Sequence, residues 1–360
     1  MPGTHRSGRL YTRGNLMTDE EINEAVMSFD ALYRSMNKCR RGVAWKDSVA
    51  HYMLHGIEET LRLEKELKEG TYKAKPPKTF VLTRPKRRIA ESITFRDRVY
   101  QRSLNDNIIY PYMTKQFIHQ NFACQKGKGT DMARDTLDKY MHRAYMHYGT
   151  DFYALQCDIK GYYPNMDHDV AEKMFREHLP KRAYKMTESI LRHQYAGDTG
   201  YNPGSQMIQI AGISVLSPLD HYIKEKLHIK LYLRYMDDFI LMHQSESYLE
   251  RCKARISEYL VRLCMKLHPE KTRVYPAKEG IKFLGFTHKL TETGKVIRII
   301  NHENVRAERK KLCRMVSLAK HGKLTKSKVD ACYMSWKAHA EKGNTFKLLR
   351  RMDAYYKGLW

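Results

Sequence analysis

Long apolar runs are missing from this sequence. No uninterrupted stretch reaches the about 18 residues that a membrane-spanning helix requires. No cluster of lysine and arginine flanks an amphipathic anchor, so no membrane partner is expected. The basic opening, MPGTHRSGRLYTRGN, lacks the apolar core of a secretory signal. It reads as a flexible arm on an intracellular, cytoplasmic protein. The cysteines, at 39, 124, 157, 252, 264, 313 and 332, form no Cys-x-x-Cys pair and meet no histidine at zinc-ligand spacing. Reduced structural thiols are expected, and a zinc-dependent HNH-type nuclease domain has no ligand set. Internal repeats and low-complexity tracts are also absent.

What the sequence has in excess is positive charge: 65 Lys+Arg against 40 Asp+Glu, a net charge of +25 over 360 residues. A surplus this dispersed points to a polyanionic partner, because each neutralised phosphate releases counterions. A merely soluble or ribosome-associated basic protein is the alternative that composition leaves open. The length suffices for a large core and two or three subdomains.

Residues 19–69 carry apolar positions at helical spacing: Ile22, Val26, Phe29 and Leu32, then Val49, Met53, Ile57 and Leu61. In KAKPPKTFVLTRPKRRIAES, two strands joined by a basic turn are expected, and helix resumes at FRDRVYQRSL. A loop with two glycines, QNFACQKGKGT, leads into a helix capped by Thr130 or Asp131. YALQCDIKGYYPNM is a strand running into a turn, with Asp167 as a cap for the next helix. A long helix is predicted for 205–231 and an amphipathic one for 246–266. IKFLGFTH and KVIRIIN read as strands, and 302–360 as mostly helix. This order argues for an α+β core with helical flanks rather than a doubly wound parallel sheet.

RYMDDFILM poses the chemical question, because Asp237 and Asp238 interrupt an apolar hairpin. Carboxylates there are costly to desolvate unless a cation compensates them. Magnesium suits hard oxygen ligands and keeps coordination positions open for phosphate. One hairpin is half a site, and Asp158, after the apolar YALQC, is the expected third carboxylate. Two magnesium ions bridged by such aspartates would serve both the attacking and the leaving oxygen of phosphoryl transfer. An ordinary Asp-rich turn is the bland alternative.

YMDD (235–238), DIKGYYPNMD (158–167) and KFLGF (282–286) resemble the palm motifs of reverse transcriptases, over roughly residues 76–290. Bacterial retroelement enzymes, especially the diversity-generating type, are the most similar group. PKRRIAESITFRDRVYQRSL resembles their fingers, QNFACQKGKGT their basic loop, and SWKAHAEKGNTFKLL their terminal helices. The resemblance implies a right-hand polymerase with fingers, palm and a small helical thumb. The expected division is an N-terminal arm and helices over 1–72, fingers and palm over 73–290, and thumb over 291–360.

It also implies roles for particular residues. Asp158, Asp237 and Asp238 would be catalytic metal ligands, with Ile159 in the ligand set, and Lys271 would protonate departing pyrophosphate. Lys86 and Arg88 would bind the dNTP triphosphate, and Tyr163 would sit under the incoming sugar. Phe283, Leu284 and Gly285 match the primer grip. Lys126, Lys128 and Arg134 would line the nucleic-acid groove. The usual Gln-Gly…Ser-Pro motif is not found in its place. Gly204 and Gln209 of YNPGSQMIQ fit the diversity-generating pattern in part, with Pro203 and Ile208 departing from it. Relaxed base discrimination, hence error-prone copying, is the expectation.

The partners implied are template RNA, cDNA, dNTPs and a small basic accessory protein. A reverse transcriptase of an anti-phage defence system is the second reading. A non-catalytic nucleic-acid-binding protein on a palm fold is the third. Oligomeric state is not legible.

Overall fold

A computed structural model describes residues 17–83, 88–195 and 197–360. By its contacts the chain forms two compact units. One contains the described residues up to Phe117 together with Tyr163–Leu216; the other contains Ile118–Tyr162 and Ser217–Trp360. The units therefore interleave along the chain, because residues distant in sequence pack together.

The first unit is mainly helical. Thr18 caps the helix Asp19–Met27 in a reciprocal box with Glu21. The helices Phe29–Cys39, Asp47–Leu54 and Gly56–Lys68 follow. Leu32, Val49 and Leu63 are buried as amphipathic spacing requires, but Ile57 and Leu61 face solvent. The buried stripe of that last helix is Gly56, Thr60, Leu63 and Leu67 instead. Strands β1 (Lys78–Leu82) and β2 (Arg88–Ser92) pair antiparallel, as expected. Helix follows at Phe95–Leu104 and continues as a π-helical turn over Asn105–Ile109.

The second unit holds a four-stranded sheet of order β4-β5-β3-β6 and a three-stranded sheet of order β7-β8-β9. These strands are β3 (Tyr153–Cys157), β4 (Leu231–Tyr235), β5 (Asp238–His243), β6 (Arg273–Pro276), β7 (Ile281–Phe283), β8 (Phe286–Leu290) and β9 (Val296–Ile300). Ala133, Leu137, Met141 and Ala144 of helix Thr130–Tyr148 form one core with Ala154, Leu233, Ile240 and Met242 of the larger sheet. The helix Glu246–Val261 packs on β3, β5 and β6 through Leu249, Cys252, Ile256 and Leu260. A sheet covered on both faces explains why β4 and β5 read as continuous apolar runs. Three helices, His302–Lys320, Lys326–Ala340 and Phe346–Gly358, close the chain.

Two local expectations change. The helix predicted for 205–231 is broken into Gln206–Val215, Ser217–His221 and a π-helical turn at Tyr222–Lys226. Pro218 has no N–H for a continuous ladder, which places a restart there. The cap of helix Thr130–Tyr148 is Gly129, without a side-chain hydrogen bond, rather than Thr130 or Asp131. Asp167 does cap its helix, accepting from Val170 N at 2.9 Å.

Candidate active site

The register of the larger sheet gathers the three aspartates. Cys157, the last residue of β3, pairs with Phe239 of β5. One step further along that register sets Asp158 across from Asp238. β4 and β5 are joined by only two residues, Met236 and Asp237, between the paired Tyr235 and Asp238. All three carboxylates thus emerge at one end of one sheet.

Their surroundings favour a cation. Burial raises the Asp237 carboxyl above its ordinary range, and Asp158 raises it further. Burial likewise pushes Asp238 up to about 7, with Asp237 and Asp158 adding repulsion. Gln156, two residues before Asp158, donates from Nε2 to Asp238 Oδ1 at 3.3 Å and to the Lys282 carbonyl at 2.8 Å. Its Oε1 accepts from Tyr275 at 3.1 Å. This glutamine orients Asp238 and ties β7 to β3. Alternation along β3 places it on the same face as Asp158, and that was the available signal for it.

Lys271 reaches the site, with Nζ 2.9 Å from Asp158 Oδ2. The segment that carries it is fixed by backbone bonds: His268 N donates to the Asp158 carbonyl at 2.7 Å and Lys160 N to the Lys266 carbonyl at 2.9 Å. Thr272 Oγ1 also accepts from Asp158 N at 3.3 Å. Among the described residues no three His, Cys, Asp or Glu side chains converge closely enough to hold a metal ion. The Lys271 ammonium partly compensates the charge instead. Donors that are all hard oxygens, with Asp237 and Asp238 raised by burial and then by neighbouring carboxylates, would nonetheless suit a divalent cation held by Asp158, Asp237 and Asp238. Ile159 is buried and bridges Leu267, so only its backbone has a donor to offer.

The Phe283–Gly285 turn belongs to the same unit. Leu284 and Gly285 link the paired Phe283 and Phe286, with φ of +44° and +89°. A Cβ on Gly285 would meet His339 Nε2 at 3.0 Å, so both conformation and space call for glycine there. Arg134 faces inward. It is 3 % exposed, donates to the Leu284 carbonyl at 2.9 Å, and pairs with Asp131. Lys128 is half-buried and gives its ammonium to the carbonyls of His119 and Asn121 at 3.0 and 2.9 Å, stapling its own loop. Lys126 is exposed.

The dNTP-binding expectations among the described residues fall in the other unit. Lys86 lies outside the described residues, and Arg88 begins β2. Gly204 precedes Ser205, which caps helix Gln206–Val215, and Gln209 lies in that helix. Tyr163 packs against Gly212. A Cβ there would lie 2.8 Å from Tyr163 Oη and 3.1 Å from Cζ. Gly212→Ala is expected to cost about 1–3 kcal/mol, as overpacking does. Tyr163→Phe in the same chain removes the nearest atom and should return part of that loss. Melting temperatures of the single and double variants check this; no recovery in the double would contradict it.

Residues 74–288 match the family model described as "Reverse transcriptase (RNA-dependent DNA polymerase)". Comparison with curated proteins gave no match. Three solved telomerase structures are similar. That of Candida albicans, in complex with a TWJ fragment of telomeric RNA, shows 13 % identity and a TM-score of 0.48 over 68 % of this chain and 49 % of its own. Apo telomerase of Candida tropicalis lacking its C-terminal domain shows 14 %, 0.47, 68 % and 60 %. The apo Candida tropicalis enzyme shows 13 %, 0.45, 68 % and 53 %. This chain thus spans about half to three fifths of those chains.

Proposed function

The chain belongs to the reverse transcriptase family, and from that premise we propose that it is an RNA-directed DNA polymerase whose chemistry is carried by Asp158, Asp237 and Asp238. The observation that carries this reading is their convergence at one sheet end, where burial and mutual repulsion hold Asp238 at about 7. Magnesium is the cation we assign, two ions in all. Such ions supply charge neutralisation to the triphosphate and to the primer hydroxyl's oxygen.

This chain's own residues do the rest. Gln156 fixes the orientation of Asp238 through a bond from Nε2. Lys271, paired with Asp158, would leave it for phosphate and give a proton to departing pyrophosphate. The turn at Leu284–Gly285 presents backbone to a primer end. Fingers, palm and a small helical thumb are the names we give these parts. The net charge of +25 suits template RNA and cDNA as partners.

Within the family we favour the diversity-generating retroelement type, assisted by a small basic accessory protein, in the cytoplasm. It rests on the motif at 203–209, where no glutamine stands before Gly204. Sequencing cDNA made by the purified protein on a defined RNA tests it. Misincorporation concentrated at template adenines is expected; uniformly low error at all four bases would favour the defence-system reading.

A further inference from the structure

We propose that Arg234 and Asp220 are positioning residues that clamp the Met236–Asp237 turn and thereby aim the Asp237 carboxylate. Both side chains are fully buried. Arg234 Nε donates to Asp220 Oδ1 at 2.7 Å and Nη2 to Oδ2 at 2.5 Å, a two-pronged pair. Its remaining terminal nitrogen, Nη1, donates to the Met236 carbonyl at 2.9 Å. Tyr232 Oη gives Asp220 a further bond at 2.5 Å. The backbone of Arg234 is fixed as well, its N–H on the Gln120 carbonyl and its carbonyl on Phe122 N, both at 3.0 Å.

The clamped carbonyl belongs to the peptide that joins Met236 to Asp237. A peptide is planar, so fixing its oxygen fixes the plane from which Asp237 departs. That control is needed because Met236 has φ +57°, the left-handed region that side-chain-bearing residues avoid. Left to itself, the turn would relax away from this conformation. A buried ion pair adds little net stability over apolar packing of the same shape. Its yield here is geometry: only a planar fork bonds Asp220 twice while a third nitrogen reaches the turn. Lysine in this place would hold one partner or the other.

The proposal rests on reading the three aspartates as the catalytic, cation-binding site. Its test uses the full-length protein with four substitutions: Arg234→Lys, Asp220→Asn, Met236→Gly and Tyr232→Phe. Three readouts are taken: Mn2+ binding by electron paramagnetic resonance, kcat and KM for dNTP in primer extension, and melting temperature. Arg234→Lys is expected to lower kcat by about ten- to a hundredfold, since small misplacements carry penalties of that size. It should also weaken Mn2+ binding and leave the dNTP KM within about threefold.

Glycine pays no penalty at φ +57°, so in the Met236→Gly background the same change should do less damage. The double-mutant cycle is then non-additive. Tyr232→Phe touches Asp220 but not the turn, and should lower melting temperature while altering Mn2+ binding less than twofold. If Arg234→Lys does not fold, Asp220→Asn takes its place in the cycle. Unchanged Mn2+ binding and kcat in the clamp variants, or an additive cycle, overturns the clamp alone. A native protein that neither binds Mn2+ nor extends primers overturns the reading of the site, and the clamp with it.

Discussion

Replacing Asp237 by Asn is expected to reduce RNA-templated dNTP incorporation by about a thousandfold or more, without loss of folded protein. The size follows from the several kcal/mol that a bound cation contributes to phosphoryl transfer, at about 1.4 kcal/mol per factor of ten. Retention of the fold follows from the carboxylate's position. Asp237 sits in a two-residue turn, is raised by burial and by Asp158, and holds no ion pair among the described residues. Its charge therefore costs stability in the absence of a cation. Asn keeps the shape and removes the charge. Primer extension together with circular dichroism checks both halves. Extension within about tenfold of the native rate would mean that the cation is held elsewhere.

Asp238→Asn should raise the melting temperature of the cation-free protein at pH 8 by several degrees and leave it unchanged near pH 4. Burial, then Asp237 and Asp158, hold this carboxyl at about 7, against an ordinary value of 3.8. Below about pH 4 the group is protonated in both folded and unfolded chains, and it contributes nothing. As pH rises from 4 to 7 the unfolded chain releases the proton while the folded chain retains it, so folding weakens. Above 7 the penalty is complete, on the order of a few kcal/mol. Asn has no proton to lose and escapes it.

The same linkage gives magnesium a larger stabilising effect on the native protein at pH 8 than at pH 5.5, because a cation binds the ionised form. Melting curves at the three pH values, with and without Mg2+, measure it. A gain from Asp238→Asn that is equal at pH 4 and pH 8 would contradict the origin assigned to it.

The hairpin at 231–243 was legible because two apolar strands flank a polar turn, a pattern fixed by local chemistry. Asp158 could be picked out because it ends the apolar run YALQC ahead of a turn, where a third carboxylate was expected. The partners of these aspartates could not. Gln156 shows only as a polar residue in a short strand until β3 and β5 pair and its side chain comes within reach of Asp238. Arg234 and Asp220 do not stand out in the sequence, since nothing there marks a charge as buried before its counter-charge is placed. Arg134, one turn into the helix after the basic loop, shows the opposite case: its charge suggested phosphate, and the fold turns it inward to Leu284. Gly212 illustrates the limit of motif spacing, because its requirement comes from the Tyr163 ring rather than from neighbouring residues.

The most direct measurement is extension of a labelled primer on an RNA template with dNTPs and Mg2+, by the native protein and by Asp158→Asn. Full-length cDNA is expected from the native chain, none after chelation, and at least about a hundredfold less from Asp158→Asn. Equal extension by both proteins would contradict this, as would a native protein inert with every divalent cation tried.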